Sequence, residues 1–250
     1  MRSLWLLAVV AGVSCPLRVR PKQLAGDPLE TGYKRILPDR HSRGTPFPRL
    51  PATMTTPSPV SDKQALRRQV RRARMALTPA QREAAMRAVV RHASRLLRRG
   101  KRIGAYLAAG SELDVSLLIS TALWRGGEVF LPQIPNGSRR LWFSRLGGER
   151  RWYLHPRYRI AEYDGPCLRA ERLDVLFVPL LAVDAQGYRM GQGGGFYDTT
   201  LAFRQRHPLL RRPLLVGVAY DCQRVAAVPR EAWDVRLDYL VTESGLYRFR

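Results

Sequence analysis

The chain has 250 residues, 45% of them apolar and 25% charged, which are the proportions of a globular protein with a core and not of a disordered or fibrous chain. Its 43 basic and 20 acidic side chains leave a formal charge of +23, which invites a nucleic-acid reading, but no recognised reader motif accompanies the charge. Three widely spaced cysteines, Cys15, Cys167 and Cys222, and four scattered histidines exclude a disulfide scaffold and a structural zinc site, so any metal is expected to be a hard cation on oxygen ligands.

Residues 4–13 form an apolar run after Arg2, in the outline of a secretory signal and too short to span a bilayer. Residues 16–53 carry seven prolines and no period of 2 or 3.6, so they are expected to be disordered. Three explanations compete for residues 1–53: an export signal, an organellar targeting segment, or a spurious extension with true initiation at Met54. The third fits best, because the chain after Met54 has the pattern of a cytosolic enzyme, and a cytoplasmic location is expected. Residues 54–100 hold 12 basic and 2 acidic groups, the densest part of the charge excess.

From Lys63 the pattern is helical. Leu66, Val70, Ala73 and Leu77 make one narrow apolar stripe, with Lys63, Arg67, Arg71 and Arg74 on another face. Thr78-Pro79-Ala80-Gln81 supplies an N-cap, a proline at the first helical position and a capping-box Gln. Met86, Val89, Val90, Ala93, Leu96 and Leu97 continue as the buried stripe of a second helix, which Gly100 ends. Beyond Gly100, apolar strands are predicted at 103–107, 129–131, 141–146, 173–179, 214–219 and 239–242, and Asp114 caps a helix running to Trp124. Alternation of helices with apolar strands implies an α/β domain over 60–250, a parallel or mixed sheet flanked by helices in three layers, preceded by a basic helical hairpin.

The most informative segment is Arg189-Met190-Gly191-Gln192-Gly193-Gly194-Gly195-Phe196-Tyr197-Asp198. Four glycines in five positions are costly in backbone entropy, and their use is close approach: bare N–H groups can wrap an anion ahead of a helix. Neither the P-loop nor the dinucleotide fingerprint fits, since no Lys-Ser/Thr follows the glycines and Phe196 occupies the third fingerprint position. A cation before the loop and a carboxylate after it are the partners that a Mg²⁺-nucleotide needs. A bland glycine-rich surface loop is the competing reading.

This segment resembles the hallmark Arg-Leu-Gly-x-Gly-x-Gly-Tyr/Phe-Tyr-Asp loop of the 5-formyltetrahydrofolate cyclo-ligase (5,10-methenyltetrahydrofolate synthetase) family. Three further blocks occur in the family order: Lys63 and Arg67 of a K-x-x-x-R helix, Tyr106-Leu107-Ala108-Ala109-Gly110-Ser111-Glu112, and the closing stretches 217–223 and 229–238. The resemblance covers about residues 60 to 249. It implies a monomeric ligase of folate and one-carbon metabolism. The implied partners are 5-formyltetrahydrofolate and ATP, with Mg²⁺, and neither a specific nucleic acid nor a membrane. The products would be 5,10-methenyltetrahydrofolate, ADP and phosphate.

Carried over residue by residue, the resemblance assigns Lys63, Arg67, Arg189 and the 190–197 segment (Met190, Gly191, Gln192, Gly193, Gly194, Gly195, Phe196, Tyr197) to ATP. Arg67, Arg189 and Asp198 are the implied catalytic groups. Leu107, Glu112 and the 192–196 stretch border the folate, and Asp198 and Asp234 approach Mg²⁺. Bland rivals exist for each: a solvated helix face for Lys63 and Arg67, first-turn charge for Glu112, a surface ion pair with Arg230 or Arg236 for Asp234. Trp142 and Phe143 read as core before ligand. Gln192, Thr199 and Trp233 depart from the usual family residues. Two other functions stay open at this level, an ATP-using relative with a different acceptor and a basic nucleic-acid-binding module on helices 63–99.

Overall fold

The computed structural model describes residues 59–148, 151–207, 210 and 212–249. Residues 1–53, with the apolar run 4–13, and the alternative start at Met54 lie outside the described residues.

In chain order the helices and strands are α1 (Pro59–Ala76), α2 (Pro79–Ala93), β1 (Arg102–Gly104), α3 (Ser116–Trp124), β2 (Glu128–Gln133), β3 (Trp142–Arg145), β4 (Trp152–Leu154), β5 (Ala161–Tyr163), β6 (Cys167–Leu168), β7 (Val175–Pro179), β8 (Ala182–Val183), β9 (Arg189–Met190), α4 (Phe196–Leu201), α5 (Phe203–Arg206), β10 (Leu214–Val218), β11 (Tyr239–Val241) and β12 (Leu246–Arg248). The main sheet has eight strands in the order β12-β11-β10-β7-β1-β2-β3-β6. The five central strands, β11 to β2, pair in parallel, and antiparallel strands close both edges.

Burial on both faces explains why 173–179 reads as a continuous apolar run: Leu176 and Phe177 of β7 point to opposite faces and are both fully buried. Ala85, Val89, Ile103, Leu118, Ile119 and Phe177 pack on one side of the sheet. Phe143, Leu176, Val178, Leu201, Leu215 and Leu240 pack on the other, completing three layers. Each such side chain, fully withdrawn from water, contributes about 1.5–3 kcal/mol.

Sequence-level expectations meet the structure element by element. The capping box forms as read, Gln81 N donating to Thr78 Oγ1 at 3.2 Å and Thr78 N to Gln81 Oε1 at 2.8 Å. The second helix ends earlier than expected: α2 stops at Ala93 and a 3-10 turn, Ser94–Leu96, comes next before Gly100 turns the chain at φ 70°. Asp114 is not the N-cap of α3; its Oδ1 accepts the Ser116 N–H at 2.8 Å, one turn residue outside. Arg74, which helical spacing puts near Lys63, Arg67 and Arg71, is 3% exposed, and α1 packs against the 3-10 turn Asp221–Gln223. Short strands β4, β5, β6, β8, β9 and β12 carried too little pattern to be read.

The amino end of the parallel strands is tied by Asp174. Its Oδ2 accepts the Arg102 N–H at 3.0 Å and its Oδ1 the Arg212 guanidinium at 2.9 Å, with Lys101 Nζ at 3.6 Å. The carboxyl end of the same strands opens into loops, where α/β sheets place their ligands.

Candidate functional site

β7 runs into β8, and β8 pairs antiparallel with β9, Ala182 opposite Met190 and Val183 opposite Arg189. This small ribbon buries Met190 and delivers the glycine stretch to the carboxyl edge of the sheet, with Gly191 to Gly194 exposed. Gly193 and Gly195 have φ of 102° and 70°, values that a side chain strongly disfavours, so the turn demands glycine there. The next helix, α4, is only six residues long, so its dipole adds little.

Guanidinium groups surround this turn. Arg67 Nε donates to the Gly191 carbonyl at 3.3 Å, and a Cβ built on Gly193 would stand 3.6 Å from Arg67 Nη2. Arg71 Nη2 donates to Gln192 Oε1 at 2.6 Å. On the other flank, a Cβ on Gly195 would stand 3.6 Å from Arg139 Nη1. Lys63 and Arg67 therefore share one face of α1 with Arg71, one helical turn further on. Lys63 Nζ pairs with Glu231 Oε1 at 2.7 Å, and the Glu231 N–H donates to Asp234 Oδ2 at 2.7 Å, so the lysine is linked to the turn that carries Asp234.

Arg189 lies behind the loop. Its side chain is buried, donating from Nη1 to the Val235 carbonyl at 2.7 Å and from Nη2 to Asp198 Oδ1 at 2.6 Å. Burial pulls its pKa below the usual arginine value, while the negative charges of Asp198 and Asp234 oppose that. Asp198 is thus the carboxylate that pairs with this guanidinium, while the Asp234 carboxylate accepts from the Glu231 N–H. Asp198 keeps 43% of its side chain exposed, with Oδ2 outside the hydrogen bond to Arg189.

Beside the loop lies a cleft of about 600 Å³, lined by 134–139 on one side and 155–158 on the other. The Tyr158 ring meets Phe196 edge-on, centroids 5.4 Å apart, so the cleft is continuous with the glycine turn. Leu107 and Glu112 lie beyond β1 at the same carboxyl edge, both partly buried. Glu112 Oε2 accepts the Ala109 N–H at 3.1 Å. The Tyr197 hydroxyl is buried without a hydrogen-bond partner, and burial first, then the charge of Glu112, raises its pKa. Phe143 is core, as expected, and Trp142 is covered by the Arg169 guanidinium, 3.4 Å from its ring centroid.

The family model described as the 5-formyltetrahydrofolate cyclo-ligase family matches residues 59–243. The chain belongs to the 5-formyltetrahydrofolate cyclo-ligase family. It is 34% identical over 189 residues to the 5-formyltetrahydrofolate cyclo-ligase of Haemophilus influenzae, covering 72% of this chain and 97% of that one. It is 37% identical over 155 residues to the Escherichia coli K12 protein of the same name, covering 59% and 80%. Among solved structures it is similar to the 5,10-methenyltetrahydrofolate synthetase of Aquifex aeolicus, with a TM-score of 0.62 and 28% identity over 75% of this chain and 93% of that one. Membership makes the chain an enzyme of the ligase class in folate metabolism.

The residues present suit the magnesium ion that this family implies. Asp198 and Asp234 each engage one carboxylate oxygen with protein, and among the described residues no group of three or more His, Cys, Asp or Glu side chains forms a metal cage. One or two carboxylates without a cage is the donor set of an ion held largely by substrate phosphates. Among the described residues, no helix is long and apolar enough to cross a membrane.

Several lining residues escaped the reading of the sequence. Arg71 carried a usable signal, its four-residue spacing from Arg67. Arg139 and Tyr158 carried none, since they sit on loops whose approach to the glycine turn is decided by the sheet.

Proposed function

We propose that this protein converts 5-formyltetrahydrofolate to 5,10-methenyltetrahydrofolate with ATP and Mg²⁺, acting as a cytoplasmic monomer. The γ-phosphoryl group passes to the formyl oxygen with loss of ADP. N10 then attacks the activated formyl carbon, and the carbon–oxygen bond breaks to release phosphate. The observation that carries this reading is the turn Gly191–Gly195, exposed over Gly191 to Gly194 and lying between the guanidiniums of Arg67 and Arg139, backed by the Arg189–Asp198 pair.

Phosphoryl transfer needs in-line positioning and charge neutralisation more than covalent help. In this reading the amides of 191–195 and the cations Lys63, Arg67 and Arg71 hold the triphosphate. Arg189 acts through Asp198, since its guanidinium already donates to that carboxylate and to Val235. Asp198 and Asp234 hold the magnesium ion, which when bound neutralises charge on the transferring phosphoryl group. Leu107, Glu112 and Phe196 border the folate. The roles of Arg67 and Arg71 are supported by their hydrogen bonds to the glycine turn, and that of Asp198 by its place just after it.

The full chain mixed with 5-formyltetrahydrofolate, ATP and Mg²⁺ should develop the absorbance of the methenyl product, dependent on both nucleotide and metal. A rate no greater than that of a boiled control would overturn the reading.

A further inference from the structure

The cleft of about 600 Å³ beside the glycine turn has a chemistry of its own. Ile134, Pro135, Pro156 and Tyr158 give it apolar walls, Arg139 and Arg157 supply two cations, and no acidic residue lines it. Both arginines are exposed, and neither donates to a carboxylate among the described residues. Such a lining suits a ligand that joins a flat apolar part to a negative charge.

Buried polar groups brace the walls from behind. The Ile134 N–H donates to Glu162 Oε1 at 2.8 Å and the Tyr153 hydroxyl to Glu162 Oε2 at 2.7 Å, so a buried carboxylate ties one wall to the β4–β5 ribbon. In the other wall, the N–H groups of Arg157 and Tyr158 donate to Nδ1 of the buried His155 at 3.2 and 3.3 Å. The Arg157 guanidinium lies 5.5 Å from the centre of the Tyr158 ring, an attractive contact that keeps it along that wall. The shape is therefore formed before a ligand arrives, which lowers the entropic cost of binding.

The connectivity of the substrate decides what reaches this cleft. N10, the atom that attacks the formyl carbon, is bonded directly to the benzoyl ring, and that ring carries a glutamate through an amide. With the reacting atoms at the glycine turn, the benzoyl ring must lie against a surface that borders the turn. The cleft meets the turn at two points, through the Tyr158–Phe196 ring contact and through Arg139 beside Gly195. Arg139 is committed to the turn, which leaves Arg157 as the cation for the glutamate. We propose that the cleft receives the aminobenzoyl-glutamate half of 5-formyltetrahydrofolate and that Arg157 is the specificity-determining residue that pairs with its carboxylates. The proposal rests on the cyclo-ligase reading and adds to it a residue that recognises the far end of the substrate.

The test compares equilibrium binding of 5-formyltetrahydrofolate and its N-propylamide counterpart, in which a propyl group replaces the glutamate and both carboxylates are lost. Wild-type protein should bind the glutamate ligand about tenfold more tightly. Arg157→Ala should shrink that preference to about threefold or less and raise the folate KM, while the ATP KM stays unchanged, and Arg157→Lys should keep part of the preference. Because Arg157 is exposed, both variants are expected to fold. Wild-type protein that binds the two ligands equally, or a folded Arg157→Ala protein that keeps the full preference, overturns the proposal. A raised ATP KM with the preference intact overturns it too, and gives the cleft to the nucleotide. Failure of the cyclo-ligase reading looks different, as wild-type protein that turns over no folate at all.

Discussion

Two aspartates at opposite ends of the same parallel strands show how one residue type divides between architecture and chemistry. Asp174, at the amino end, has a side chain 9% exposed and meets Lys101, Arg102 and Arg212, with a backbone N–H besides. Asp198, at the carboxyl end, meets one cation and keeps 43% of its side chain exposed. The first carboxylate has both oxygens engaged by protein and can only hold strands together. The second is oriented by Arg189 through one oxygen and presents the other to a ligand. Parallel strands produce this division, because their carboxyl ends open into loops while their amino ends are joined by returning chain.

The comparison breaks most sharply at Asp198. Asp198→Asn preserves an acceptor for the buried Arg189 while removing the charge, so turnover should fall by about 10²–10³-fold with little change in the thermal midpoint. A variant that is folded and fully active would remove Asp198 from the site.

Asp174→Asn should do the converse. Loss of a charged acceptor serving several donors should cost about 2 kcal/mol, lowering the midpoint by roughly 4–8 °C for a chain of this size, with kcat/KM unchanged at low temperature. Burial by itself would raise the Asp174 pKa, but the Arg102 N–H and the three cations outweigh it and lower the value. The sign comes from linkage: a carboxylate with a depressed folded pKa stabilises above its unfolded value of about 3.9 and loses that contribution as pH falls through the folded value. The stability difference between wild type and Asp174→Asn should therefore shrink below about pH 4. A difference that persists undiminished in acid would show that packing, and not charge, explains it.

Smaller effects sharpen the carboxyl end. Gly195→Ala forces a side chain onto φ 70° and directs a Cβ toward Arg139, so the ATP KM should rise about tenfold, with folate KM less affected. Equal KM values for both proteins would argue against a phosphate-binding turn. Arg71→Ala removes only an exposed donor to Gln192, and a rise of about threefold in the ATP KM, fading at high salt, is expected. An effect insensitive to salt would assign Arg71 a packing role.

Much of this division was legible in residue order. Local features were the clearest: the capping box at Thr78 and Gln81, the apolar run of β7, and the glycine turn with Arg189 before it and Asp198 after it. Lys63 and Arg67 looked like any two cations on a basic helix until a family pattern singled them out. Helical spacing puts Arg74 near the other cations of α1, but spacing alone does not show that the packing of the 221–223 turn against α1 covers it.

What the sequence determined by itself was therefore local: helix starts, strands buried on both faces, and a turn that only glycine can make, each set by a few neighbouring residues and their intrinsic preferences. Tertiary structure decided which cations stay in water, that Lys63 on the first helix pairs with Glu231, and that the loops 134–139 and 155–158 form a cleft beside the glycine turn. Those relations join residues far apart in the chain. They depend on strand order and crossovers, which local preference does not encode.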